Sequence, residues 1–265
     1  MLYKRVLSAL LFLPVFYLVA WKLPPVYFTM LVLAAALVGQ NEFYRMAQAR
    51  GIKPDAVLGS MIGALVVLEA YRPLLSGMGT VYLAGALLLI MIVRLFSRRP
   101  VEGALEDVSS TVLGVFYVAL LFSFQVSIRT GMDGKEWLVF LYFVIWASDI
   151  GAYSIGIPFG KHRLYEKVSP KKSVEGLAGA LIASAGVAFL CRAWFMPHIG
   201  IGETLGLALA LAAVGTVGDL VESLFKRAAG VKDSGGLIPG HGGILDRMDS
   251  MLFAAPVLYY YLKMR

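Results

Sequence analysis

Apolar residues dominate the chain in long runs near 6–21, 26–40, 56–71, 77–96, 108–126, 137–154, 175–196, 203–223 and 250–262. None alternates with period two, so none reads as a strand of a membrane barrel. Runs of this length predict helices that satisfy their own backbone, the requirement for crossing lipid. The pattern predicts nine spans: an all-α, polytopic membrane bundle. The first run follows Lys4 and Arg5, as in a signal peptide, but no small-residue cleavage site follows it. It reads as a retained first helix.

Charge gives these helices an orientation. With the N-terminus cytoplasmic, seventeen of the 24 basic residues fall in the segments assigned to the inside. Nine spans with alternating loops give that asymmetry under the positive-inside rule. Composition agrees, at 59% hydrophobic and only 15% charged residues, far from a soluble domain. The net charge of +7 is split by apolar spans rather than gathered on one face, so nucleic acid is not the expected partner. A single cysteine, Cys191, excludes an intramolecular disulfide.

Polar chemistry is confined to one half. Residues 1–135 read as a scaffold with oligomer contacts, and 136–265 as a catalytic region with cytoplasmic loops near 155–174 and 224–249. Both loops follow helices that end in acids: Asp149 for the first, Asp219 and Glu222 for the second. Carboxylates at such positions are costly and usually functional. Asp219 and Glu222 are three residues apart and share a helical face, as do Asp246 and Asp249 in "LDRMDS". An oxygen-only set suits a hard cation, Mg2+ above all when phosphates complete the coordination. No Cys or His set has zinc spacing. As a plain alternative, these acids pair with neighbouring Lys or Arg.

Between the acidic pairs lies "GVKDSGGLIPGHGG". Gly235, Gly236, Gly240, Gly242 and Gly243 let backbone approach a ligand. The helix expected to start near Ile244 offers free N–H groups to an anion. Lys226, Arg227, Lys232 and Arg247 add donors suited to phosphate oxygens. The bland reading is a basic loop on anionic headgroups. His241, between two glycines, either donates to phosphate or ribose or caps the turn. In the other loop, "SPKKS" brings Lys171, Lys172 and Ser173 just before a helix, with Glu175 complementing its dipole. Asp149, Tyr153 and Lys161 lie nearby. "GIPFGKH" fails the P-loop spacing and "GIGETLG" fails the dinucleotide fingerprint.

Residues 223–249, "SLFKRAAGVKDSGGLIPGHGGILDRMD", resemble the signature of the phosphatidate cytidylyltransferases, or CDP-diacylglycerol synthases. Ser223, Lys226, Arg227, Lys232, Asp233, Gly235, Pro239, His241, Gly242, Gly243, Asp246, Arg247 and Asp249 fill its fixed positions. "SPKKSVEG" and "DIGAYSIGIPFGKH" are similar to two further stretches of the family, with Ser173 where threonine is more usual. The resemblance implies a Mg2+-dependent, homodimeric enzyme of the inner membrane with its site facing the cytoplasm. It would join CTP to phosphatidic acid, giving CDP-diacylglycerol and pyrophosphate. It implies catalytic roles for Asp219, Lys226, Arg227, Lys232, Asp246, Arg247 and Asp249. One or two cations would sit on Asp219, Glu222, Asp246 and Asp249. Substrate would be bound by Lys171, Lys172, Ser173, Ser223, Asp233, Gly235, His241, Gly242 and Gly243. Two alternatives stay open: a CTP-dependent lipid or prenol kinase, and an ion-coupled transporter.

Overall fold

A computed structural model describes residues 14–73, 79–236 and 242–265. The part of the first apolar run that it covers is helical and ends in a π turn, Leu18–Lys22. Pro24 and Pro25 then stop and restart the chain, Pro25 occupying the first helical position of α1, Pro25–Gln48. A left-handed Gly51 turns the chain. Asp55 caps α2, Ala56–Tyr71, by accepting from Leu58 N–H at 3.1 Å. α3 is Gly79–Leu95. α4, Ala104–Thr130, is one long rod containing a π turn over Gly114–Leu120. α5 is Gly134–Phe159. An antiparallel pair follows, β1 Arg163–Tyr165 and β2 Ser169–Ser173. The last three helices are α6, Val174–Trp194; α7, Ile201–Ala229; and α8, Leu245–Met264.

Each apolar run coincides with a helix wherever it is described. Five helices (α1, α4, α5, α6 and α7) are long and apolar enough to cross a membrane, while α2 and α3 are shorter apolar helices. The protein is a mostly helical integral membrane protein. Its surface agrees: Leu88 and Ile92 on α3, and Ile182 and Leu190 on α6, are exposed, as helices facing lipid require.

The core lies among α1, α4, α5, α7 and α8, with Phe28, Tyr44, Phe122, Phe140, Leu141 and Leu211 fully buried. α5 and α6 meet backbone to backbone, because a Cβ on Gly151 would strike Gly179 O and one on Gly179 would strike Gly151 O. Small residues permitting close approach are the usual means of helix association in lipid. α1 adds a buried polar face. Gln40 donates to Gly59 O (3.1 Å) and Tyr44 to Thr111 O (3.1 Å), tying α1 to α2 and α4.

Two features depart from the sequence reading. Part of the loop expected at 155–174 is structured: α5 continues to Phe159, and the hairpin occupies 163–173. Likewise α7 runs through to Ala229 and stops at a left-handed Gly230, so Ser223, Lys226 and Arg227 are helical. The polar connection begins at Gly230, not 224. An i, i+4 ion pair between Glu222 and Lys226 lets the helix continue past its apolar span.

Candidate active site

Two glycines set the geometry. A Cβ on Gly218 would meet Asp249 O at 2.6 Å, and one on Gly215 would meet Ile145 Cδ1 at 2.9 Å and Ser250 Cβ at 3.4 Å. Their absence lets α8 lie directly on α7. The acidic face of α7, Asp219 and Glu222, thereby faces Asp249 of α8. One carboxylate oxygen from each of the three lies within 4.8 Å of the others. Glu222 is fully buried, and its Oε1 has no hydrogen-bond partner. A carboxylate held so is costly unless a cation reaches it.

Two lysines answer part of that charge. Lys172, at the end of the hairpin, pairs with Asp219 at 2.6 Å. Lys226 lies between Glu222 and Asp246, 2.6 Å from the latter. Four carboxylates and two ammonium groups leave a formal charge of −2, which suits one divalent cation. Tyr117 lies in the π turn of α4. It is 6% exposed, ringed by Phe43, Phe225 and Phe253, and its hydroxyl has no hydrogen-bond partner.

Asp246, expected as a catalytic residue and a metal ligand, has four partners of its own. It lies outside the group of three. Its Oδ2 accepts from Ser234 N–H (2.9 Å), the Ser234 hydroxyl (2.9 Å) and Gly243 N–H (2.8 Å), while Oδ1 takes Lys226. It joins Ser234 to Gly243 and holds Lys226. The start of α8 also differs from expectation. Its N–H groups are not open to an anion, because Glu42 of α1 already occupies them. Glu42 Oε1 accepts from Ile244 N–H and Oε2 from Leu245 N–H, both at 3.0 Å; Ser234 Oγ is 3.3 Å from Oε2. Hydrogen bonds to a charged acceptor contribute about 1.5–3 kcal/mol each.

The glycines follow from these carboxylates. Gly242 has φ +79°, and a Cβ there would lie 2.5 Å from Asp246 Oδ2. A Cβ on Gly235 or Gly243 would collide with Glu42. Gly235, Gly242 and Gly243 make room for protein carboxylates, while a Cβ on Gly236 would meet nothing within 4 Å.

The remaining expected residues divide. Ser173 is buried and caps α6, accepting from Gly176 N–H at 3.1 Å. Ser223 Oγ donates to Asp219 Oδ1 at 3.4 Å. Arg227 donates to Val168 O (3.4 Å) and Val231 O (3.5 Å), fastening the hairpin to the loop. Lys171, Lys232, Asp233 and Arg247 are exposed around the site. Glu175 does more than complement a dipole: it accepts from Lys161 N–H (3.1 Å) and His162 N–H (3.2 Å) and closes the turn after α5. Pro239, Gly240 and His241 lie outside the described residues.

Sequence reasoning missed Glu42. The apolar run assigned to α1 ended at residue 40, and "QNEF" raised no flag. An acid in a helix that otherwise reads as apolar was the available signal. Its partners, about 200 residues away, were not legible.

The sequence pattern of the Cytidylyltransferase family matches residues 3–265. The chain belongs to that family. A protein of Synechocystis is 36% identical over 268 residues, covering 89% of this chain and 88% of its own length. A protein of Bacillus subtilis is 32% identical over 259 residues, covering 97% and 94%. Over a shorter stretch of 152 residues, 57% of this chain and 58% of the relative, a Staphylococcus epidermidis protein is 40% identical. Each of these three relatives is named phosphatidate cytidylyltransferase. The described signature residues of this cytidylyltransferase therefore lie at the junction of α7, α8 and the hairpin, with Glu42 of α1 added.

Proposed function

We propose that this membrane enzyme transfers the cytidylyl group of CTP to phosphatidic acid, giving CDP-diacylglycerol and pyrophosphate. The convergence of Asp219, Glu222 and Asp249 beside two lysines is the observation that carries this reading. An oxygen of the lipid phosphate forms a bond to the α-phosphorus of CTP. The bond from that phosphorus to the oxygen bridging the β-phosphate breaks, and pyrophosphate leaves with the electron pair. The attacking oxygen is already an anion, so no general base is required. The obstacle is electrostatic: two polyanions must meet, and charge must be stabilised on the leaving group.

Asp219, Glu222 and Asp249 would hold the divalent cation, which we take to be Mg2+. Their fit rests on the unpartnered Glu222 oxygen and the −2 charge balance above. The bound ion supplies charge neutralisation at the phosphates. Lys172 and Lys226, fixed by Asp219 and Asp246, provide oriented ammonium groups at the cluster's edge. Lys171, Arg227, Lys232 and Arg247 surround it and lower the cost of bringing in a triphosphate. Asp246 is a positioning residue in this scheme, not a ligand.

Nine spans, a cytoplasmic N-terminus and a site on the cytoplasmic face of the inner membrane complete the proposal, with a homodimer as the functional unit. Contacts between helix ends support the alternation. Groups assigned inside meet one another, as in Arg99 to Lys53 O and Lys172 to Asp219. Those assigned outside do the same, as in Arg129 to Leu23 O. The division at residue 135 is kept as a proposal, with α1 lending Glu42 to the catalytic half.

Mn2+ binding followed by electron paramagnetic resonance tests the cation site without turnover. Asp249→Asn is expected to abolish the binding seen in the parent and to lower transfer at least about a hundredfold. Undiminished Mn2+ binding in that variant would remove Asp249 from the site.

A further inference from the structure

A cavity of about 240 Å3 lies where helix ends meet: the turn between α1 and α2, the end of α3 and the start of α4. It shares no residue with the acidic cluster of α7 and α8. Its frame is built on Asp107, which is 7% exposed. That carboxylate accepts from Lys53 N–H at 2.7 Å and from Arg94 Nε at 3.1 Å, tying the turn, α3 and α4 together. Arg94 also donates to Ser97 Oγ (3.1 Å) and to Pro100 O, and Arg99 donates to Lys53 O (2.6 Å). These bonds fix the backbone around the cavity and leave cationic donors over. Arg99 has spent one of its five N–H groups. The Arg50 guanidinium and the Lys53 ammonium belong to exposed lining residues, and among the described residues neither has an ion pair.

Charge and size narrow the ligand. Arg94 and Asp107 cancel, and Arg50, Lys53 and Arg99 then outnumber the two exposed acids of the lining, Glu102 and Glu106, by one. That balance suits a singly charged phosphodiester better than a triphosphate. The cavity is also smaller than the ~300–1,000 Å3 usual for larger small-molecule ligands. Interleaved with the lining residues are Leu95, Phe96, Val101 and Leu105, each between 74% and 83% exposed. Four large apolar side chains bared within so short a stretch mark contact with lipid or a partner. Here they stand at the ends of apolar helices, beside guanidinium groups suited to phosphate oxygens. We propose that this cavity binds the headgroup of an anionic phospholipid. Arg50, Lys53 and Arg99 hold its phosphodiester, and its acyl chains lie along Phe96, Val101 and Leu105. Basic pockets between helices at a membrane boundary have this use.

The test places a reporter beside the cavity. Full-length protein carrying Phe96→Trp is reconstituted in phosphatidylcholine bilayers with an equal small fraction of either phosphatidylglycerol or phosphatidylcholine brominated on its chains. Quenching of the four native tryptophans, measured without Phe96→Trp, is subtracted. Brominated phosphatidylglycerol is expected to quench the added indole at least about fivefold more effectively than brominated phosphatidylcholine. Adding Arg50→Gln and Lys53→Gln should bring the two lipids level; both side chains are exposed and lie outside the frame. Arg45→Gln, which removes an exposed cation of α1 outside the lining, should leave the preference intact. Glu102→Gln removes an opposing charge and should strengthen the preference, a gain that misfolding cannot produce. Equal quenching by the two lipids before any charge is removed would overturn the proposal. So would a preference that survives Arg50→Gln with Lys53→Gln. Millimolar inorganic phosphate should leave the quenching unchanged. If it erased the preference, the cavity would take free phosphate and the lipid assignment would fall.

Discussion

A single methyl group at position 243 would meet Ser234 Oγ and both oxygens of Glu42. Seven residues earlier, at Gly236, the same methyl group would touch nothing within 4 Å. Gly243→Ala is therefore expected to destabilise the protein by about 1–3 kcal/mol and to disable transfer, while Gly236→Ala changes stability by no more than about 0.5 kcal/mol. Thermal unfolding in one detergent, with transfer measured on the same preparations, separates the two. If both variants behaved alike, contact with Glu42 would not be the reason for Gly243. This scale was only partly legible in the sequence. The signature named Gly243, Asp246 and Lys226, but chemistry alone attached the glycines to ligand and Asp246 to metal. Glu42, against which Gly235 and Gly243 pack, comes from α1, and nothing local to residues 223–249 announces it; the partners of Asp246 lie within that stretch. Ser173, read from the sequence as a substrate ligand, accepts from Gly176 N–H and caps α6.

Among the helices, α6 offers an internal comparison. Gly179 lies against the backbone of α5, where a Cβ would be 2.6 Å from both Gly151 O and Ile155 Cγ1; at Gly186 it would meet nothing within 4 Å. Alanine is the better helix former by about 0.8–1 kcal/mol. Gly186→Ala should stabilise by up to that amount, whereas Gly179→Ala should destabilise, because α5 and α6 must separate. Opposite shifts in the unfolding midpoint are the expected result, and shifts of the same sign would contradict the close contact. Helices were the most legible elements, since a run of apolar residues in lipid has no other way to satisfy its backbone. The hairpin was not legible. "SPKKS" is polar and carries a proline, so it reads as a turn; it becomes a strand only because β1 lies alongside and Val174 N–H donates to His162 O at 2.9 Å. The end of α7 was misplaced for a related reason. Charge marked the edge of the apolar run, but the Glu222–Lys226 pair and the Gly230 turn, not hydropathy, set the end of the helix.

Across the whole molecule, the proposed site brings together helices that are far apart in sequence. α7 and α8 supply the acids, the hairpin supplies Lys172, and α1 brings Glu42 to the start of α8. In the proposed reaction a soluble nucleotide and a lipid phosphate meet where water and membrane meet, and this polar junction is the site proposed for it. The central claim is the bond that is broken. CTP labelled separately at its α- and γ-phosphates, given to the purified protein with phosphatidic acid and Mg2+, reads it directly. Cytidylyl transfer predicts α label in the lipid product and γ label released in pyrophosphate. Label from the γ position in the lipid would instead make the enzyme a kinase, and transfer from neither position would contradict a nucleotide-dependent reaction at this site.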